Sequence, residues 1–383
     1  MNSATPVTIV GAGIAGLAVA IALRQRGVEV DLLEQAPMLQ EIGAGLLLGP
    51  NACAVLQRLG VLQTLQADRS RPVPRWEVRD QNGRLLSALN LPKSGQSSIS
   101  TTRSDLQHAL SQQLPEDVIK LNCTVTDAEM ATDGVRLKLA DGRQIIAHKV
   151  IVADGAHSKV RAAFWPGHHP RYCGYVGWRG LVDHVPAGWE VGRVCESWGS
   201  GRRFGIAPVG RGRTYWYASA NVAESRSREQ ISVAQLRIDF AHWHKPIAEI
   251  LNAMPEETLL QHPICDHRPP WHWQLQEKVV LLGDAAHPLT PNLGQGAAMA
   301  LEDAWELAAQ WGKPQAMARY QHLRRMRLLR LWAISRWVGK MIQWENPALC
   351  WLRNAQMATV PNLLSTIIMR RLLHFEPSTP NAS

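Results

Sequence analysis

The feature that most restricts the fold of this chain is the run from Val7 to Glu34, VTIVGAGIAGLAVAIALRQRGVEVDLLE, which reads as strand, glycine turn, helix and strand in one pass. Val7 to Val10 is short, apolar and β-branched, the pattern of a strand buried on both faces of a parallel sheet. Gly11 suits the tight turn, Gly13 the close approach of backbone to a pyrophosphate, and Gly16 the packing of helix on strand. Phosphates would sit on the helix N-terminus, where free N–H groups and the dipole favour negative charge. Gly27 ends the helix and Val28 to Leu33 forms the second strand. Glu34 closes it eighteen residues beyond Gly16, where a carboxylate can hydrogen-bond an adenosine ribose. An acid there opposes a 2′-phosphate, so the expected dinucleotide is FAD or NAD, not NADP.

At 383 residues and 46% hydrophobic content the chain can bury a large core and is expected to form about two domains. The apolar run to Leu23 carries three glycines and no preceding cation, so strand and helix explain it better than a secretion signal. No other run is long and uncharged enough to span a bilayer. The six cysteines are scattered without a CxxC pair, which predicts free thiols in a reducing cytoplasm and no metal site. The net charge of +9 is uneven: from Arg324 to Arg371 nine Lys or Arg accompany one acid, Glu345. No helix-turn-helix, RNP or zinc pattern goes with it, so nucleic acid is not an expected partner. A solvated helical face is the first expectation, ahead of an anionic substrate or a membrane surface.

Further along, EIGAGLLLGP leads into a helical segment, Asn51 to Leu59, with Pro50 near its start. Gly43, Gly45 and Gly49 permit close approach to a flat ligand, and equally serve a plain loop. WEVRD and RLLSALNL flank Asn82-Gly83, a hairpin signal that predicts an antiparallel excursion from the nucleotide-binding sheet. Ser104 is placed to cap a helix over Asp105 to Leu114, with Arg103 just before it. Gly134 to Leu139 and Arg143 to Ala147 read as hairpin strands. They lead to the buried strand Val150 to Ala153 and to Asp154-Gly155, at a strand end where ligands gather in open α/β sheets. From Tyr172 to about Gln261, aromatic-rich alternating segments read as antiparallel strands of a substrate layer. There Tyr215 and Tyr217 share a face, and Arg203 lies on a neighbouring segment.

Glu277 to Asp303, EKVVLLGDAAHPLTPNLGQGAAMALED, supplies the strongest signal: an apolar strand, Gly283-Asp284, a proline-marked loop, then Gly294 and Gly296 opening a helix. That helix N-terminus suits an electron-rich ring that gains negative charge on reduction. Asp284 is expected to accept hydrogen bonds from ribityl hydroxyls, and His287 to be structural rather than a base.

GAGIAG with Glu34, ADGAHSKVR and LLGDAAHPLTPNLGQGAAMALEDA, in this order, resemble the FAD-dependent aromatic hydroxylases of the para-hydroxybenzoate hydroxylase type over almost the whole chain. Salicylate hydroxylase, 3-hydroxybenzoate 6-hydroxylase, the flavin-dependent urate hydroxylases and zeaxanthin epoxidase are similar, the last including WENP at Trp344 to Pro347. The resemblance implies an α/β fold: a Rossmann-like FAD-binding domain (1–74, 99–170, 269–320) with an inserted antiparallel-sheet substrate domain (75–98, 171–268), C-terminal helices (321–374) and a disordered tail (375–383). It implies that Gly11, Gly13, Ala15, Gly16 and Glu34 hold the ADP half of FAD, with Arg103 nearby. Asp154 and Gly155 would touch the pyrophosphate and a transient nicotinamide nucleotide, Gly283 and Asp284 the ribityl chain. Pro291, Gly294, Gln295 and Gly296 would border the isoalloxazine.

The implied reaction is hydroxylation of a small aromatic or heteroaromatic substrate with NADH or NADPH and O2, through a flavin C4a-hydroperoxide kept from water. Tyr215 or His287 could serve as base with Arg203 as anion partner; Arg203 and Tyr215 are the expected substrate groups, with Pro291 beside the ring. Two other readings stand beside it: an epoxidase or hydroxylase of a lipid-like polyene or quinone precursor at a membrane, and a flavin-binding interaction protein without turnover. A stripe of Ile334, Val338, Met341 and Ile342, with Arg336 and Lys340 opposite, is expected to dock on the FAD domain or on a dimer partner, ahead of weak membrane contact. The protein is expected to be a cytoplasmic monomer or homodimer.

Overall fold

The computed structural model describes residues 5–39, 44–91, 97–190, 192–360 and 362–378. Gly43 and the end of the tail, 379–383, lie outside the described residues.

Short strands build the central sheet, and the three at its centre, VTIV, VIV and VVL, are apolar and rich in β-branched residues. Its order is Gln274–Leu275, Val279–Leu281, Val150–Val152, Val7–Val10, Val30–Leu33, Ile119–Lys120, parallel except at the first pair. The strands preceding the three glycine-containing loops are therefore neighbours, and their carboxyl ends bring Gly11, Asp154 and Gly283 to one edge. The helix Ile14–Arg24 is buried along nearly its whole length between this sheet and the helix Gly296–Gln310. A separate antiparallel sheet, Val125–Ala131, Gly134–Leu139 and Gln144–Ala147, adds a strand that sequence reading had not placed.

The second layer is a seven-stranded sheet, from Leu260–Asp266 through Arg171–Val182, Thr214–Asn221, Arg202–Pro208 and Arg193–Trp198 to the hairpin Arg75–Asp80/Leu85–Asn90. It departs from the expected antiparallel pattern at one seam, where Arg193–Trp198 runs parallel to Arg75–Asp80. The chain enters this sheet twice, so the seam joins strands that no hairpin connects. A three-stranded sheet, Gly45–Leu48, Ile99–Thr102 and Ser70–Pro72, lies where the two layers meet.

Four expectations are corrected. The helix Arg103–Ser111 is capped by Thr102, whose Oγ1 accepts the Asp105 N–H, not by Ser104. The boundary set at 320/321 falls inside one continuous helix, Ala316–Ile342. Its buried line runs through Arg324, Leu328, Leu331, Ser335, Gly339 and Ile342, while Ile334 is exposed. The cause is the loop 290–292: Ser335 and Thr290 hydroxyls meet at 2.7 Å, and a Cβ on Gly339 would lie 2.2 Å from Asn292 Nδ2, so only small residues fit. Finally, the first tail residues are held: Ser378 donates to Glu306 through its N–H and hydroxyl, and its carbonyl accepts from Trp305 Nε1. Much of the basic excess is also internal. Arg353 is buried and donates to the Ile342 and Gly199 carbonyls, and Arg336 pairs with buried Asp266.

His267, just after the strand Leu260–Asp266, is 1% exposed and its Nε2 has no partner. Burial pulls its pKa down to about 4 from an ordinary 6.5. The unfolded chain thus binds the extra proton between those values, so stability falls as pH drops from about 6.5 to about 4, by up to about 3 kcal/mol. Denaturant midpoints of wild type and His267→Gln across this window check it; the variant's slope is expected to be shallower.

Candidate active site

The nucleotide cradle is set by backbone. Gly11 has φ +101°, and a Cβ there would lie 2.5 Å from the Ala153 carbonyl oxygen; a Cβ on Gly16 would lie 1.8 Å from the Gly11 oxygen. Gly13 is the N-cap of Ile14–Arg24 and no side chain caps that end, which leaves first-turn N–H groups for an anion. Glu34 is fixed by the Ala12 N–H at 2.7 Å and the Ala36 N–H at 2.9 Å. The Arg103 side chain is exposed into the cleft, close to Gly13.

At the second strand end, Asp154 Oδ2 accepts the Lys159 N–H, while its buried Oδ1 has no partner. Burial pushes this carboxyl up. Arg161, on the helix that Ser158 caps, donates to the Ala156 and Ala285 carbonyls and so ties this loop to the third. Asp284 opens onto the cleft, and the protein around it pushes its carboxyl up, with His287, Arg103 and Arg161 opposing.

The loop of residues 291–294 ends with Gly294 at φ +62°, and the helix Gly296–Gln310 starts with no side-chain cap. Gln295 is buried, and its Oε1 accepts from Asn51 Nδ2, so it faces the site only through backbone. Asn51 also donates to Glu302, which pairs with Arg324 and Arg327; Arg324 Nε reaches Asp303, and His287 Nε2 lies 2.5 Å from Asp303. His287 is 1% exposed and belongs to this network behind the loop, not to the cleft lining.

A cleft of about 300 Å³ runs from Gly13, Ala15 and Arg103 past Gly155, Asp284, Pro291, Gly294 and Gly296 to the seven-stranded sheet. On the sheet wall it meets Trp178, Arg203, Tyr215, Tyr217 and Ser219. Gly11, Gly16, Glu34, Asp154, Gly283 and Gln295 support the cleft without lining it. Sequence reading missed Glu196, a single acid in the apolar strand RVCESW. Its Oε1 accepts from Trp198 Nε1 at 2.6 Å, its Oε2 accepts the Tyr217 hydroxyl, and Arg203 Nη1 lies 3.7 Å away. Arg203 Nε donates to Ser219 Oγ. Burial pulls the Arg203 pKa down, but Glu196 and the flanking tyrosines more than offset it, so the guanidinium stays charged. Burial pushes the Tyr215 phenol above its usual 10.

Three strand-end loops and two uncapped helix N-termini facing a ring-sized cleft define a dinucleotide-binding flavoprotein with an adjoining substrate layer. Residues 4–331 match the family model described as the FAD binding domain, and the chain belongs to that family. Aurachin C monooxygenase/isomerase of Stigmatella aurantiaca is 36% identical over 98% of this chain and 100% of its own length. The 2-heptyl-3-hydroxy-4(1H)-quinolone synthase of Pseudomonas aeruginosa is 33% identical over 96% of both. Klebsiella pneumoniae HpxO complexed with FAD and uric acid superimposes with a TM-score of 0.88 at 26% identity, over 97% of each chain. FAD is the cofactor, and the protein is a flavoprotein monooxygenase of aromatic or heteroaromatic rings. The orphaned Asp154 Oδ1 and a cradle in which Gly11 and Gly16 have no room for Cβ atoms, while Gly13 leaves the approach open, fit that cofactor.

Proposed function

We propose that the enzyme hydroxylates a neutral bicyclic ring of the 4-quinolone type at the carbon beside its carbonyl, with ring C–H, O2, NAD(P)H and a proton giving ring C–OH, water and NAD(P)+. The observation that carries this reading is the buried Arg203–Glu196–Tyr217 cluster. Its charges cancel, so it matches a ring that offers one N–H and one C=O rather than a carboxylate. The relative named for making a 3-hydroxy-4(1H)-quinolone supports the ring class.

Bound FAD supplies electrons taken from NADH or NADPH and the activation of O2. Gly11, Gly13, Ala15, Gly16 and Glu34 hold its ADP half with Arg103 alongside, Asp154, Gly283 and Asp284 its centre, and Pro291 with the 294–296 backbone its ring. Arg203 donates to the substrate carbonyl oxygen and draws electron density toward it. Tyr217 passes its hydroxyl proton to Glu196 Oε2 as its oxygen takes the ring N–H proton, which makes the ring carbon more nucleophilic. The aromatic wall of Trp178, Tyr215 and Tyr217 excludes water from the reacting face.

Product formation and H2O2 release by the yellow holoenzyme, followed with NADH and with NADPH against 2-alkyl-4-quinolones and hydroxybenzoates, test the reading. Arg179 at the cleft wall is the group a carboxylate would use, so turnover of hydroxybenzoates alone overturns it. In Arg203→Met we expect flavin to remain bound and the quinolone KM to rise roughly tenfold to a hundredfold, the loss of one hydrogen bond to a charged donor.

The same reading divides the chain into a nucleotide-binding part (1–74, 99–170, 269–320), a substrate sheet (75–98, 171–268) and C-terminal helices beginning within 316–342. It places the enzyme in the cytoplasm as a monomer or homodimer. No described helix is long and apolar enough to cross a membrane. Exposed Trp337, Trp351 and Ile368 on the C-terminal helices support weak membrane contact as a secondary property.

A further inference from the structure

A second, narrower cavity opens off the ring cleft. The two share Leu47, Trp76 and Gly294, so the cavity continues the cleft from the point where the substrate sheet meets the flavin loop. Beyond that neck its walls are mostly apolar, with Leu48, Val73, Leu89, Leu91, Met369 and Leu373, and the polar residues among them are Ser98 and Gln295. It holds only about 30 Å³, a bore for a single file of methylenes and not for a second ring.

Its cover comes from the last helix, Asn362–Leu373, which packs on the strand Leu85–Asn90. Leu373 is 8% exposed, and a Cβ on Gly49 would lie 3.4 Å from its Cδ1, so the helix end seats on the chain just past Leu48. Met369, the other helix residue in the wall, has an unbranched side chain that can shift to lengthen the bore. The outer side of the same helix exposes Leu364, Ile367 and Ile368.

We propose that this slot takes an unbranched apolar chain carried by the ring substrate, and that Met369 and Leu373 of the last helix set the chain length accepted. The proposal rests on the ring reading above and adds to it a place for the substituent. A chain laid in the slot leaves water without leaving the active site. Each buried methylene then strengthens binding by roughly fourfold, from about 0.8 kcal/mol per CH2.

The test is equilibrium binding of 2-methyl-, 2-pentyl-, 2-heptyl- and 2-undecyl-4-quinolone to the holoenzyme, read from the flavin absorption spectrum, with product formation measured separately. The expected result is a Kd that falls with chain length and then levels off. In Leu89→Trp, which fills the bore, the heptyl-to-methyl affinity ratio should collapse toward one. In Met369→Ala, which lengthens it, the levelling-off should move to a longer chain. Kd independent of chain length, or ratios unchanged in both variants, overturns the slot. If Kd follows chain length and no quinolone is hydroxylated, the slot stands and the ring reading falls; if product forms with flat binding, the reverse holds.

Discussion

Gly16→Ala is expected to lose flavin on purification, with FAD affinity reduced by roughly tenfold to a hundredfold. The added Cβ would sit 1.8 Å from the Gly11 carbonyl oxygen and 3.0 Å from its carbon, and both are backbone atoms that no rotamer change can move. Relief requires the helix Ile14–Arg24 to draw away from the turn that aims its N-terminus, in a site where overpacking costs about 1–3 kcal/mol. The N–H groups that meet the pyrophosphate move with it. Gly13→Ala provides the comparison. Its Cβ would meet only Arg103 Nη2, at 3.9 Å. The apo protein should keep wild-type stability, so any lost affinity reports the close approach of phosphate itself. Flavin content after gel filtration and a fluorescence titration with FAD decide both; a yellow Gly16→Ala protein of normal affinity would refute the packing argument.

Arg324→Met is expected to destabilise the fold by about 3–5 kcal/mol, the cost of leaving buried acids without their cation. Arg324 is 2% exposed and bridges Glu302 at 2.5 Å and Asp303 at 2.7 Å. Glu302 keeps Arg327 and Asn51 in the variant, so the loss falls mainly on Asp303, which retains the Gly283 N–H and His287. Burial alone would raise the Asp303 pKa; His287 and Arg324 bring it below its usual 3.8. A carboxylate depressed in the fold contributes stability that is present above the unfolded pKa and lost as pH falls through the folded one. Wild type therefore has this contribution in full above about pH 3.8 and loses it progressively below, so the difference between wild type and variant should narrow as pH falls toward and past that value. Chemical denaturation at pH 7 and at pH 4 measures both effects. The network also holds Gln295 through Asn51, so weaker flavin binding should accompany the loss of stability.

Local patterns with one physical solution were legible in the sequence. A β-branched tetrad before GAGIAG has only a buried parallel strand open to it, and the expected apolar strands and Asn82-Gly83 hairpin match Val7–Val10, Val150–Val152, Val279–Leu281 and Arg75–Asn90. The three loops could be grouped because the ends of parallel strands gather on one side of such a sheet. Contacts between segments distant in sequence were not legible. Glu196 looks like any strand acid until Tyr217, Trp198 and Arg203 surround it. Ser335 and Gly339 look like gaps in an apolar stripe until the loop 290–292 needs their space.

What the sequence determined by itself was the nucleotide half of the molecule, because strand, glycine turn and helix are specified by neighbours within a few residues, where propensity and sterics act. What only the tertiary structure decided was the substrate half: the neutral polar cluster, the buried arginines beneath the flavin loop, and the apolar bore under the last helix. Each of these joins side chains from separate segments, and their charge balance and volume exist only once the layers have packed.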